Sequence, residues 1–292
     1  MSAAAVLRAL RNDGSTWRAV RRLGGGVHEG AWLVSDAAGS RAVLKFRSEG
    51  WTRRVETAEA LVRTARRQGW PAPAWLSRGV AAGFAWHLEE FVAGRRPRLN
   101  AAEVAREILE VNDRQAGVAA GHGDTWSQYA IHVVFGDSDQ RRSLEAADGA
   151  PARVAHRVRE AVQGLDRFGL PSDDLVHGDF RTANFRFAHG RLVAVIDNDT
   201  AGPGCRCLDL ATVLLEAHVR GSATAARVIG QHGLTRFGSR VLTVCLAWQV
   251  LEMAYFGLQR WPRSELDRYC SACIDMLEHG QEDGLVSFST AS

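Results

Sequence analysis

Apolar residues gathered in three short segments, 20–23, 31–35 and 42–46, read as three β-strands. Gly24, Gly25 and Gly26 break the first strand from the second, and 36–40 forms the next turn. Over 53–68 the period becomes helical, with Val55, Leu61, Val62 and Ala65 as an apolar stripe. Gly69 ends that helix, and Pro71 and Pro73 cannot continue it. A further strand spans 84–92 and stops at Ala93-Gly94. Helical spacing then takes over, with helices at 101–120 and 151–168 around a Gly- and Asp-rich stretch, 121–149, that has no clear period. Short strands follow at 175–176, 185–187 and 192–196, the last two joined by a His189-Gly190 turn. Helices return after Arg206 and run to about 282. A strand-rich first third, a helical remainder and a strand-loop insertion point to an α+β protein of two lobes with a cleft between them: residues 1–94 and residues 95–292.

Of the 292 residues, 46% are hydrophobic and 24% charged, which excludes a disordered chain. Five cysteines, an odd number in a long chain, exclude a disulfide-stapled miniprotein, and buried free thiols are the expected reading. The N-terminus shows no secretory apolar segment, and the most apolar run, 241–258, carries Thr243, Gln249 and Glu252. A buried helix is therefore expected there, with no membrane partner and a cytoplasmic location. The net charge of +3 is too mild to argue for nucleic acid. Its distribution is uneven: residues 1–94 sum to +6 and the rest to −3, so one half favours an anion and the other tolerates a cation. All basic side chains but one are arginine. Lys45 is the only lysine, which marks a position that requires a compact ammonium.

The densest candidate chemistry is His177-Gly178-Asp179-Phe180-Arg181-Thr182-Ala183-Asn184, followed by Ile196-Asp197-Asn198-Asp199. Phosphoryl transfer to a hydroxyl needs a carboxylate on the nucleophile and hard oxygen donors for Mg²⁺. This array resembles the catalytic loop and metal-binding aspartate of the kinase-like fold, in the aminoglycoside phosphotransferase and choline kinase branch, across residues ~20–220. The resemblance implies a two-lobed protein-kinase-like fold, with a small antiparallel-sheet N-lobe and a mainly helical C-lobe. It makes Asp179 the base, Asn184 and Asp197 the Mg²⁺ ligands and Lys45 the contact to the phosphates of ATP. It also implies that Gly25, Gly26 and His28 lie in the phosphate-covering loop, and that the backbone of Glu90 and Val92 bonds adenine. Of Glu56 and Glu59, one turn apart, Glu59 is the expected partner of Lys45, because the family places that carboxylate twelve residues before the first proline of its Pro-x-Pro turn. His177 is expected to orient the loop, and Asp209 to tie it to the following helix.

Two positions depart from the family pattern. Arg181 stands where a phosphate-contacting lysine, His or Gly is usual, and reads equally as a γ-phosphate contact or a surface arginine. Asn198 replaces an aromatic residue, and Asp199 offers an additional contact near the metal or the substrate. Glu252 and Glu216, carboxylates in apolar helices, are candidate walls of the acceptor pocket, with a solvated face as the alternative. Together these readings describe an ATP- and Mg²⁺-dependent enzyme, monomeric or weakly dimeric, that phosphorylates a hydroxyl of a small cationic antibiotic, either an aminoglycoside or a tuberactinomycin-type cyclic peptide. The rival readings are a kinase of choline, homoserine or a sugar, and a nucleotide-binding pseudokinase.

Overall fold

The computed structural model describes residues 6–8, 16–24, 31–81, 83–165 and 169–282. The chain divides into two compact units: Met1–Arg95 with Phe185–Ala201, and Arg96–Asn184 with Gly202–Ser292. The boundary read at 94/95 therefore marks only the first crossing, because 185–201 returns to the first unit.

The first unit is built on an antiparallel sheet of order β1-β2-β3-β5-β4, from β1 (Arg18–Leu23), β2 (Ala31–Ser35), β3 (Arg41–Ser48), β4 (Trp75–Ala81) and β5 (Phe84–Glu90). Helix α1 (Thr52–Arg67) buries Val55, Ala58, Leu61, Val62 and Ala65, as its stripe requires. Sequence alternation missed β4. A bulge between Trp75 and Ser77 shifts its period, and Gly79 carries no side chain because the Trp86 indole lies against it. Pleating sorts the two central strands. Ala42, Leu44 and Phe46 join Trp86 and Leu88 in the core cluster. The opposite faces of the same strands carry Val43, Lys45 and Arg47 beside Ala85, His87 and Glu89. The hairpin β7 (Phe185–Ala188) and β8 (Arg191–Val195) turns through His189 (φ 50°) and Gly190 (φ 77°), both left-handed as a two-residue turn demands. The hairpin attaches to the unit through Arg95–Phe187 backbone bonds and Val195 N–H to Pro71 O, 2.6 Å.

The second unit is mainly helical: α2 (Ala102–Asp113), α3 (Trp126–Phe135), α4 (Asp139–Glu145), α5 (Ala150–Ala161), α6 (Cys207–Val219), α7 (Ala223–Arg260) and α8 (Arg263–Glu282), with β6 (Asp174–Val176) paired to β9 (Gly202–Gly204). The helix expected to 120 stops at Asp113. Gly117 turns left-handed, and Asn112 and Gln115 direct their side chains into a buried network instead. The aperiodic 121–149 holds α3 and α4. Asp124 accepts from Ser127 N–H at the start of one, and Ser138 caps the other. Helix α7 is broken at Gly238 (φ 77°). It is long and apolar enough to cross a membrane, but 72% of its most apolar stretch is buried within the protein. All five cysteines are free and buried.

Candidate active site

In the second unit, β6 delivers the chain into His177-Gly178-Asp179. Gly178 sits at φ 83° with the Trp126 indole packed where a β-carbon would stand, so only glycine fits. Asp209, in the first turn of α6, accepts from His177 N–H (2.6 Å), Gly178 N–H (2.9 Å) and Gln115 Nε2 (2.6 Å). Burial raises the Asp209 carboxyl despite these donors. His177, fully buried, accepts the Asp179 N–H on Nδ1 at 3.1 Å, an orienting contact. The Asp179 carboxylate is held at both oxygens: Asn184 Nδ2 donates to Oδ2 at 2.8 Å, and Arg181 Nε lies 2.8 Å from Oδ1. Further along the loop, Thr182 donates its N–H (2.8 Å) and hydroxyl (2.5 Å) to the two oxygens of Glu216. The result is a partly exposed carboxylate on a loop braced by hydrogen bonds, aligned before any substrate arrives.

In the first unit, Lys45 Nζ lies 2.8 Å from Glu89 Oε1 and 3.2 Å from Asp197 Oδ1. Burial alone would lower the lysine, but Glu89, Asp197 and Asp199 outweigh it, and the ammonium is held above its ordinary range. Asp197 follows β8 at φ 69°, a left-handed conformation that a short polar side chain tolerates, and leads into a single 3₁₀ turn, Asn198–Thr200. Asn198 is fully buried and bonds Val195 O at 2.9 Å, so it anchors this turn to β8. Arg47 Nε and Nη2 both reach Asp199 Oδ2 at 2.6 Å. Burial opposes the Asp199 charge, but Lys45 and Arg47 prevail and keep its pKa below the usual carboxylate value. Lys45 and Arg47, two apart on β3, thus hold Asp197 and Asp199, two apart on the turn.

Nucleotide and metal chemistry can be tested against these residues. Among the described residues the Val92 amide donates no hydrogen bond, and it suits an adenine edge. Glu90 instead spends its amide on Ala74 O at 2.8 Å. Asn184 commits its Nδ2 to Asp179 and, among the described residues, its Oδ1 meets no donor, while the Asp197 side chain stays 43% exposed. Each is a hard oxygen donor of the kind Mg²⁺ takes. No cluster of three or more His, Cys, Asp or Glu suited to a metal exists among the described residues.

Several expectations need correction. Glu59 does not reach Lys45: Arg78 of β4 takes it, together with Glu56 at 2.9 Å, so the α1 carboxylates face a neighbouring guanidinium. Asp199 is not a substrate group, because it is buried against Arg47. Glu216 is not a pocket wall, since Thr182 and Arg220 (2.8 Å) consume its carboxylate. Glu252 does not face open solvent. It accepts from the Tyr129 hydroxyl and from Gln140 Nε2 at 2.9 Å. Gly25, Gly26 and His28 lie outside the described residues. Glu89 and Arg47 were missed, although polar residues at alternate positions of apolar strands, His87 and Glu89 beside Lys45 and Arg47, are a legible departure from a core pattern.

Fold and loop together define a kinase-like phosphotransferase. The model of the APH phosphotransferase enzyme family matches residues 19–242, and the chain belongs to that family. No curated protein sequence matches it. Among solved structures, a thermostable mutant of aminoglycoside phosphotransferase APH(4)-Ia, in ternary complex with AMP-PNP and hygromycin B, is similar with TM-score 0.72 at 19% identity, over 94% of this chain and 99% of that one. Amicoumacin kinase hAmiN, bound to AMP-PNP, Ca²⁺ and amicoumacin, gives 0.62 at 12% identity over 97% and 95%. A GDP complex of an aminoglycoside 2'-phosphotransferase-IIIa mutant gives 0.62 at 14% over 96% and 97%. At these identities the likeness is one of fold.

Proposed function

We propose that this protein transfers the γ-phosphate of ATP to a hydroxyl of a small cationic antibiotic in the cytoplasm. The observation that carries the transfer is Asp179, an ionisable carboxylate fixed at both oxygens on a loop braced by Asp209 and Glu216. Asp179 orients the acceptor hydroxyl and takes its proton. Lys45 holds the nucleotide phosphates and the Val92 amide the adenine. Asn184 would offer an amide oxygen and Asp197 a carboxylate to Mg²⁺, which would neutralise phosphate charge when bound. Arg181 keeps Asp179 aligned until the acceptor displaces it.

The cationic character of the acceptor rests on Glu252. Its partners, Tyr129 and Gln140, are neutral, and among the described residues no basic side chain pairs with it, so a mostly buried charge stands there without a counter-ion. An ammonium of the acceptor supplies one. The solved relatives were crystallised with hygromycin B and amicoumacin, which favours an antibiotic over a metabolite. A susceptibility profile of a sensitive host expressing the chain, followed by an acceptor panel with radiolabelled ATP, tests this reading. Resistance to at least one aminoglycoside or basic peptide antibiotic is expected. Turnover confined to choline, homoserine or sugars would replace it.

Glu252→Gln keeps the shape and removes the charge. It is expected to raise the acceptor KM about ten- to a hundred-fold and to leave the ATP KM unchanged, since a charge-assisted hydrogen bond is worth about 1.5–3 kcal/mol. Burial raises the Glu252 carboxyl above its ordinary value. The group therefore takes up a proton earlier on acidification than an ordinary glutamate, and the acceptor KM should climb correspondingly early. Steady-state kinetics across pH on both variants measure each effect.

A further inference from the structure

We infer that Glu89 of β5 is the residue that positions Lys45, and that the carboxylates of α1 take no part in holding it. The inference rests on the reading that Lys45 contacts the nucleotide phosphates.

The geometry follows from strand register. Lys45 lies opposite His87 and Val43 opposite Glu89, so Lys45 and Glu89 are diagonal neighbours on one face of the sheet, within reach for two long side chains. They meet at 2.8 Å with side chains 10% and 3% exposed. Among the described residues the other carboxylate paired with the ammonium is Asp197, whose exposed side chain is the proposed metal ligand and so is shared with the substrate complex. Glu89, in contrast, is a wholly internal partner. His87, stacked at 4.1 Å on Trp75 and held neutral by burial and by Lys45, walls the same face. Glu56 and Glu59 are both engaged by Arg78.

The consequence is mechanical. A lysine positioned by a helix carboxylate loses its partner whenever the helix shifts. Here the pair lies between two hydrogen-bonded strands, so the phosphate contact is set by the sheet, and movement of α1 leaves it intact.

The chain's single lysine makes the test direct. With ¹⁵N-lysine labelling, this chain has one side-chain ammonium signal. Glu89→Gln is expected to broaden or shift that signal, and Glu59→Gln to leave it unchanged. Calorimetric titration with AMP-PNP and Mg²⁺ should show about a tenfold weaker Kd for Glu89→Gln and a change below about twofold for Glu59→Gln. In a Lys45→Met background the Glu89→Gln substitution should cost nothing further, because a positioning residue acts only through the group it positions. An equal cost in both backgrounds would mean that Glu89 supports the fold alone and would overturn the inference. So would a loss confined to Glu59→Gln. Failure of the unsubstituted protein to bind AMP-PNP would count against the nucleotide reading, while the ammonium signal decides the Lys45–Glu89 pairing by itself.

Discussion

Asp179→Asn is expected to lower kcat about 10²–10⁴-fold while the ATP KM stays near its original value. The asparagine occupies the same space, and its single amide oxygen can accept from Asn184 or from Arg181, though its NH2 cannot accept from the other. It has no basic oxygen for the proton of an acceptor hydroxyl. The brace under the loop, from Asp209 to the His177 and Gly178 amides and from Glu216 to Thr182, does not involve the Asp179 side chain, so the loop should keep its shape. Initial rates with saturating ATP and varied acceptor, with nucleotide binding measured separately, separate the two effects. Retention of more than half of kcat would remove Asp179 from the role of base.

The order of elements was largely legible in the chain because period and punctuation agreed. The short apolar runs that became β2 and β3, the proline pair after α1 and the His189-Gly190 turn each pointed one way. The bulged β4 escaped because Gly79 and the shift after Trp75 erase its alternation. Helix α2 was read too long because Asn112 and Gln115 are compatible with a helix. Only the buried partners Asp209 and Arg206 O, about ninety residues away in sequence, draw them into other service. The His177–Asp179–Asn184 spacing was legible for the opposite reason: its contacts are local, within one loop.

Carboxylate partners were the least legible part of the site. Glu59, Asp199, Glu216 and Glu89 are alike as sequence, and what distinguishes them is which cation arrives across the fold. Arg78 on β4 claims Glu59, Arg47 claims Asp199, Arg220 one turn on claims part of Glu216, and Lys45 claims Glu89. In a chain with so many arginines, a helix carboxylate facing the sheet is more readily captured by a guanidinium than held in reserve for the lone ammonium.

That competition makes Lys45→Arg the sharper of the two substitutions. The charge is kept, yet ATP turnover is expected to fall about 10²-fold, with a raised ATP KM, the scale of losing one preorganised donor to developing phosphate charge. Nζ is a point donor seated 2.8 Å from Glu89 and 3.2 Å from Asp197, with its side chain only 10% exposed. A guanidinium is wider, planar and longer, so it cannot place one nitrogen between the two carboxylates without displacing a neighbour. The nearest alternatives are poor. Arg47 already fills the space toward Asp199, and His87 stacked on Trp75 closes the other side. A forked contact to Asp197 would instead compete with the metal for that carboxylate, so the loss should persist when Mg²⁺ is raised. Thermal unfolding beside the kinetics separates a folded, inactive variant from a damaged one. If the arginine variant matched the original enzyme in both ATP KM and kcat, the single lysine would carry no chemical requirement, and the site would have to be rebuilt around charge alone.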